Sequence, residues 1–229
     1  TLEIINSTKK IAIANKESII CGWNLIRKKL DRHKTKFVPV DSEHFSISQL
    51  LKNVSKDTIK KVYITASGGP FLKIEKKKLK NFSPRSAVKH PTWKMGKKIS
   101  VDSSTLINKV FELIEAKKIF SLKYSQLNII IQPTSYVHGI VDFSNGTSEI
   151  LIHPTSMKIP IYNSIVSEKK FINFNSAINI NRMNNLNFQK IDDKKFPIKK
   201  ILKEIPINDS LFETILVSAN DTLVDLFLK

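Results

Sequence analysis

The sequence predicts an α/β protein whose main part is α+β, with a mixed, largely antiparallel sheet packed against helices. Three observations carry this reading. Short apolar runs alternate with helical patterns at the start. Strand-like runs with an Asn145-Gly146 hairpin signal fill the middle, and an amphipathic helical stretch ends the chain. At 229 residues, 41% hydrophobic and 25% charged, the chain suits one large or two modest domains with a sizeable core.

In chain order, Ile11 to Ala14 reads as a short buried strand, followed from Glu17 by a helix carrying Cys21, Trp23, Leu25 and Ile26. Phe37 to Val40 is a second strand, with Pro39 favouring an edge or a strand start, and Phe45 to Val54 is helical. Val62 to Thr65 is a third strand, stopped by Gly68-Gly69-Pro70. A helix from Ser103 to about Lys118, entered through Ser103 or Ser104 as N-cap, precedes a run of antiparallel strands. Those strands are Leu127–Ile131, Tyr136–Phe143 and Thr147–Ile152. Pro160 to Val166 is a short helix, and the Asn- and Lys-rich stretch 167–208 reads as a long ordered linker. Asp209-Ser210 would then cap terminal helices over Leu211–Lys229, with Leu211, Ile215, Leu216, Leu223, Leu226 and Phe227 available for packing.

Composition excludes some classes. The single cysteine, Cys21, rules out an intramolecular disulfide and makes a reducing compartment the default. No apolar run approaches the roughly 20 residues of a membrane span, and no signal-peptide pattern is visible at Thr1. The formal net charge of +18 invites a nucleic-acid or membrane partner. However, the lysine runs Lys76-Lys77-Lys78 and Lys97-Lys98 are separated, and arginines interleaved with aromatics are not apparent. Solvated surface lysines explain the charge better, and a positive field also attracts a small phosphorylated molecule.

The chemistry concentrates between His90 and Glu112. On a helix, Asn108, Lys109 and Glu112 fall within one turn, close to an N-terminus that itself favours anions. Asp41-Ser42-Glu43 follows a strand; in extended backbone Asp41 and Glu43 point the same way and, with Glu112, suit Mg²⁺ or Mn²⁺. The alternative, that this triplet simply caps the helix at Phe45, stays open. Ser67-Gly68-Gly69-Pro70-Phe71 is either an ordinary turn or an anion cradle made of backbone N–H groups and a hydroxyl. Asn15-Lys16-Glu17-Ser18 lies at a strand-to-helix junction, where Lys16 can neutralise phosphate or polarise a carbonyl, or where the helix merely starts. His90, Trp93 and Met95 sit in a polar, Gly-containing segment that reads as a water-excluding lid.

Together, Ala12–Ser18, Pro39–His44, Ser67–Phe71 and the block His90–Glu112 continuing to Glu115-Ala116 resemble the 1-deoxy-D-xylulose 5-phosphate reductoisomerase family of the non-mevalonate isoprenoid pathway. The resemblance spans Ile11 to Ile165, and Ser218-Ala219-Asn220 resembles a helical segment further on. It implies isomerisation of a linear ketose phosphate followed by reduction with NADPH, using one Mn²⁺ or Mg²⁺. By motif, Asp41, Glu43 and Glu112 would hold the metal, and Lys16 and Ser42 would contact the reacting end of the substrate. Ser67, Ser103, Asn108 and Lys109 would bind its phosphate with His90 close by, and Trp93 would close over it. Asn15, Glu17 and Gly96 would touch NADPH, with Met95 near the nicotinamide.

The resemblance further implies a C-terminal remnant of a Rossmann-like NADPH-binding domain at 1–35 and a catalytic domain at 36–166. A linker at 167–208 and the start of a truncated helical domain at 209–229 would follow. Such a fragment would bind Mn²⁺ and substrate weakly and reduce nothing. The full-length protein would be a homodimer of the bacterial cytoplasm or plastid stroma, without nucleic-acid or membrane partners. Three departures from the family pattern stand out: Val110 in place of a usual glycine, Gln132 in place of a histidine, and Thr155-Ser156 in place of Pro-Asp. Val110 and Gln132 motivate a divergent reductoisomerase with altered substrate as an alternative. A basic nucleic-acid-binding module, the other alternative, leaves the spacing of Asp41, Glu43 and Glu112 unexplained.

Overall fold

The computed structural model describes residues 1–166, 178–208 and 210–229. Its first unit is small. Helix α1 (Leu2–Ile5) leads into β1 (Lys10–Ile13), α2 (Lys16–His33) and β2 (Lys36–Pro39), and the two strands pair in parallel across the α2 crossover. Ile19, Trp23, Ile26 and Leu30 recur at helical spacing along one face of α2 and bury against Ile5, Ile11 and Ile13. The Asn15 side chain caps α2 by accepting from Ser18 N at 2.7 Å, and Lys34 ends it in the left-handed conformation. Cys21 and Leu25 lie on the exposed side. Pro39 is the last rather than the first residue of its strand, in a two-stranded sheet where both strands are edges.

The second unit is a four-stranded sheet in the order β4-β3-β5-β6, with β3 at Ile59–Ala66, β4 at Leu127–Ile131, β5 at Val137–Phe143 and β6 at Ser148–Ile152. The Asn145-Gly146 turn closes the antiparallel β5–β6 hairpin, with Gly146 at φ +88°. The expectation of consecutive antiparallel strands is corrected at β4, which runs parallel to β3, while β3 lies between β4 and β5. A helical crossover precedes β4, and such crossovers return the chain in parallel. Local patterning along the chain cannot show that a strand some 60 residues earlier takes the central place.

Helix α3 (Ser42–Leu50) packs on β5, where Gly139 permits the approach: a Cβ there would meet Ile47 Cγ1 at 3.2 Å. After the short α4 (Pro84–Ala87) come α5 (Lys97–Thr105) and α6 (Ile107–Phe120). The single helix expected from Ser103 is therefore two helices, broken at Leu106 with φ 64°. Ser103 and Ser104 sit in the last turn of α5 rather than at an N-cap, and Ser104 Oγ donates back to Val101 O at 2.7 Å. A left-handed leucine is strained by roughly 1–2 kcal/mol, and burial of its side chain to 1% exposure offsets that. Val110, Leu113 and Ile114 of α6 join Val62, Ile64, Ile129 and Val141 of the sheet in the main core.

The remaining helices are α7 (Lys158–Ile165), α8 (Ile180–Asn184), α9 (Ile198–Glu204) and α10 (Phe212–Leu228). The stretch read as a linker lies outside the described residues at 167–177. Further on, Gln189 bridges to Ile131, and Ile191, Phe196, Ile198 and Ile205 enter the main core. Asp209 also lies outside the described residues, whereas Ser210 Oγ accepts from Phe212 N at 3.1 Å. On α10 the buried residues are Glu213, Val217 and Val224, while Leu211, Ile215, Leu223 and Leu226 are exposed. Among the described residues no helix is long and apolar enough to cross a membrane.

Candidate active site

Three elements bring carboxylates together. Asp41 is the N-cap of α3, its Oδ1 accepting from Glu43 N at 3.1 Å and His44 N at 3.3 Å. Glu43 stands in the first turn of α3, and Glu112 projects from the second turn of α6. Each offers an oxygen within 4.8 Å of the others. The extended-backbone rationale for Asp41 and Glu43 is corrected: α3 starts at Ser42, so the helix start itself aims both side chains at one point. Capping and convergence coexist here.

Two ammonium groups neutralise this cluster. Lys16 Nζ lies 2.5 Å from Asp41 Oδ2, 3.2 Å from Glu115 Oε2 and 3.8 Å from Glu112 Oε1. Lys109 Nζ lies 2.5 Å from Glu43 Oε1 and 2.7 Å from Glu112 Oε2. Asn108 donates to Glu112 Oε1, and Ser42 Oγ donates to Glu43 Oε2 at 2.5 Å. Burial pushes the Glu112 carboxyl up to about 8, with Glu43 and Asp41 adding to the push and Lys109 and Lys16 opposing it. Burial also disfavours the Asp41 carboxylate, yet Lys16, His44 and Lys109 together hold it well below the usual range. Burial likewise works against a charged His44, but Glu115 and Asp41 raise it to about 9.

The donor set fits a hard divalent cation. All three converging ligands are carboxylate oxygens, which suit Mg²⁺ or Mn²⁺ and not thiolate-seeking metals. The three oxygens all lie within 4.8 Å of one another, close enough for one cation to draw them together. With Glu112 ionised, as cation binding would require, the four carboxylates of Asp41, Glu43, Glu112 and Glu115 outnumber Lys16, Lys109 and a protonated His44 by one charge.

The carboxylates line a cavity of about 240 Å³, whose far wall includes Ser67, His90, Ser103, Asn108 and Lys109. His90 Nδ1 accepts from Thr92 N at 3.2 Å and Trp93 N at 3.0 Å, so its proton is on Nε2, 3.0 Å from Ser67 Oγ. Burial and the Lys109 charge push His90 down to about 4, keeping it neutral. Ser67 Oγ also accepts from Gly69 N at 3.1 Å. With two donors aimed at its oxygen, the hydroxyl hydrogen is free for an anion. Gly69 lies against the end of α5, where a Cβ would meet Ser103 O at 2.6 Å. That contact holds the glycine turn and Ser103 together on one wall.

Trp93 and Met95 also line the cavity. Asn15, Glu17 and Gly96 do not: Asn15 caps α2, Glu17 pairs with Lys98 at 3.2 Å, and Gly96 caps α5 beside an open surface depression. Sequence reasoning left out Lys94, Ser135 and Met157, which line the cavity, and His44 and Glu115, which buttress it. Glu115 lies one turn beyond Glu112 on the same helix face, a spacing that could have exposed it. His138 and His153 were also missed; their rings stack with centroids 3.6 Å apart, and Trp93 meets His138 edge-on.

The departures from the family pattern have structural roles. Val110 is fully buried in the main core. Gln132 is buried as well, accepting from Tyr136 N at 2.8 Å and donating to Thr134 Oγ1 at 2.7 Å, so it shapes the β4–β5 connection. Ser156 N donates to Pro154 O at 2.7 Å in the turn before α7.

Comparison with known proteins gives matches along the whole chain. A family model for the 1-deoxy-D-xylulose 5-phosphate reductoisomerase C-terminal domain matches residues 37–120, and one for the DXP reductoisomerase C-terminal domain matches residues 152–229. The chain is similar to the 1-deoxy-D-xylulose 5-phosphate reductoisomerase of Pelagibacter ubique (strain HTCC1062), at 61% identity over 100% of this chain and 59% of the relative. The corresponding protein of Wolbachia sp. subsp. Drosophila simulans (strain wRi) is 40% identical over 100% and 59%. The chain thus spans about three fifths of these curated relatives. Among solved structures, the Zymomonas mobilis reductoisomerase in complex with NADPH superposes with a TM-score of 0.89 at 31% identity, covering 100% of this chain and 59% of that one. A DOX-P reductoisomerase in complex with NADPH, fosmidomycin and magnesium gives a TM-score of 0.79 at 34% identity, covering 87% and 51%.

Proposed function

The chain belongs to the 1-deoxy-D-xylulose 5-phosphate reductoisomerase family, and from that premise we propose that its site converts 1-deoxy-D-xylulose 5-phosphate to 2-C-methyl-D-erythritol 4-phosphate with NADPH and Mn²⁺ or Mg²⁺. The observation that carries the proposal is the pairing of an all-oxygen carboxylate trio with a wall of hydroxyl, amide and ammonium donors in one small cavity. A short hydroxyketone phosphate has the same polarity: chelating oxygens at one end and an anion at the other.

Asp41, Glu43 and Glu112 would hold the divalent cation, which when bound supplies Lewis acidity to the carbonyl and hydroxyl oxygens of the substrate. Lys16, anchored between Asp41 and Glu115, offers a positive charge beside those oxygens and steadies the negative charge that develops on them. Ser42 Oγ orients the Glu43 carboxylate from the adjacent position. Ser67, Ser103, Asn108 and Lys109 would bind the phosphate, the Ser67 hydroxyl freed for it by His90 and Gly69. Trp93 and Met95 on the cavity wall would exclude water from a hydride transfer, which NADPH supplies when bound. Asn15, Glu17 and Gly96 would contact NADPH; their support is the motif resemblance and, for Gly96, a surface depression it shares with His90, Trp93 and Met95. Separate hydrophobic clusters around Trp23 and around Val110 support a nucleotide-domain remnant followed by a catalytic domain, with β2 at Lys36–Pro39 joined to the first cluster, beyond the expected boundary at residue 35. Homodimerisation and a bacterial cytoplasmic or plastid setting rest on the resemblance.

Calorimetric titration of 1-deoxy-D-xylulose 5-phosphate into the chain, with and without Mn²⁺, tests the binding half of the proposal. Binding that requires Mn²⁺ and is lost with unphosphorylated 1-deoxyxylulose is expected. Binding indifferent to both the metal and the phosphate would overturn it.

A further inference from the structure

Outside the cavity, one lysine gathers three helices. Lys98 Nζ lies 3.0 Å from Asp102 Oδ2 on its own helix α5, 3.2 Å from Glu17 Oε1 on α2 and 3.1 Å from Asp221 Oδ1 on α10. Lys98 donates a hydrogen bond to Asp102, while the Glu17 and Asp221 carboxylates lie within ion-pair distance of the same ammonium. The Phe111 ring of α6 lies 5.8 Å from the same Nζ. Asp102 anchors the arrangement: its side chain is 3% exposed, and its second oxygen accepts from Asn220 Nδ2 of α10 at 2.8 Å. Burial raises the Asp102 carboxyl above the usual range, with Asn220 and Lys98 opposing the rise. None of these groups lines the cavity, and the proposed mechanism gives Lys98, Asp102, Asn220 and Asp221 no role.

Their position gives them one. Helix α5 is capped by Gly96, directly after Met95, and carries Ser103 in its last turn, so one short rod spans the lid segment and the anion wall. The left-handed break at Leu106 uncouples α5 from the rigid direction of α6. Few of its residues are buried apolar ones: Ser100, Val101, Asp102 and Ser104 are the buried set. The orientation of α5 therefore depends on polar ties more than on core packing. Gly69 then transmits that orientation, because Ser103 O lies in contact with the turn that carries Ser67.

We infer that Lys98 is a positioning residue, a three-way clamp with Asp102 and the Asn220-Asp221 pair that sets α5 against α2 and α10 and thereby places Ser103 for the substrate's phosphate. The inference rests on the phosphate role proposed for Ser103. A single exposed ion pair contributes little. Here a buried carboxylate fixes the lysine, and the other arms reach two separate elements.

The test compares Lys98→Met, Lys98→Arg and Asp221→Asn with the parent chain, titrating 1-deoxy-D-xylulose 5-phosphate and, separately, Mn²⁺. The expected result is about tenfold weaker binding of the phosphorylated ketose by Lys98→Met, about threefold weaker by Asp221→Asn and partial recovery by Lys98→Arg. Mn²⁺ affinity at the carboxylate trio should stay unchanged in all three. Amide exchange along 97–105 should speed up in Lys98→Met while that of α6 does not. Unchanged sugar-phosphate affinity in a folded Lys98→Met, or equal loss of sugar-phosphate and Mn²⁺ affinity, overturns the clamp. If Lys98→Met does not fold, Asp221→Asn decides in the same terms. Failure of the parent chain to bind the sugar phosphate overturns the site reading and the clamp together. Failure of the variants alone to differ from the parent overturns the clamp only.

Discussion

Lys109 Nζ lies 2.5 Å from Glu43 Oε1, joining the first turn of α6 to the first turn of α3 at the floor of the cavity. The same ammonium lies 2.7 Å from Glu112, which is 1% exposed. It is the counterion of two carboxylates that a divalent cation would also seek.

Replacing Lys109 with methionine leaves those carboxylates facing each other without this ammonium. Removing one partner of a buried pair destabilises by about 3–5 kcal/mol, and urea denaturation without metal should show a loss of that order. Added Mn²⁺ should restore more stability to Lys109→Met than it adds to the parent chain. A loss under about 1 kcal/mol, in the range of surface pairs, would contradict the arrangement.

Asp41→Asn separates the two roles of Asp41. Asparagine caps a helix as well as aspartate does, so α3 should persist by circular dichroism. Mn²⁺ affinity measured by calorimetry should fall by at least a factor of about 100, since even groups that only support metal ligands are worth about 10–100-fold. Preserved affinity would place the cation elsewhere.

The stacked imidazoles predict an acid-side loss of stability. Burial, reinforced by the His153 charge and opposed by Glu43, pushes His138 from its ordinary 6.5 down to about 4. Between those values the unfolded chain binds the proton and the folded one does not, so stability is full above about pH 6.5 and falls with pH. By pH 4 the His138 contribution amounts to roughly 3 kcal/mol. His44, raised to about 9, works in the other direction, its contribution fading as pH climbs from 6.5 towards 9. Chemical denaturation of His138→Phe from pH 4 to 7 should give a flatter profile than the parent; an identical slope would refute the assignment.

Gly69→Ala tests the coupling between the glycine turn and α5. The residue has φ +64°, and a Cβ would stand 2.6 Å from Ser103 O, a backbone atom that cannot swing aside. Strain and overpacking together should destabilise by about 2 kcal/mol or more. Sugar-phosphate affinity should fall with it, because relief of the clash moves Ser103 or Ser67. A folded Gly69→Ala of parental affinity would show that the two walls are independent.

Much of this site was legible in the sequence because its chemistry is local. Asn108, Lys109 and Glu112 share a helical turn, and Ser67 with Gly69 forms a single turn, so spacing alone groups them. What failed was backbone context. Asp41 and Glu43 converge through a helix start and not an extended strand, a distinction that rests on where α3 begins. Ser103 and Ser104 look like caps because hydroxyl residues precede an apolar run, yet the helix boundary is set by a buried left-handed Leu106 that no propensity favours. The sheet order was hidden because β3 and β4 pair across three intervening α-helices. His44 and the His138–His153 stack depend on contacts between distant elements, and Lys98 draws its carboxylates from three helices. Such groups carry no local signature.

The central claim is that Asp41, Glu43 and Glu112 share one divalent cation. Anomalous diffraction from crystals of this chain grown with Mn²⁺ tests it most directly. The account predicts a single manganese peak about 2.0–2.3 Å from one carboxylate oxygen of each residue, with Lys109 withdrawn from the space between Glu43 and Glu112. Manganese bound elsewhere, or absent at saturating concentration while Lys109 still bridges the two glutamates, would contradict it.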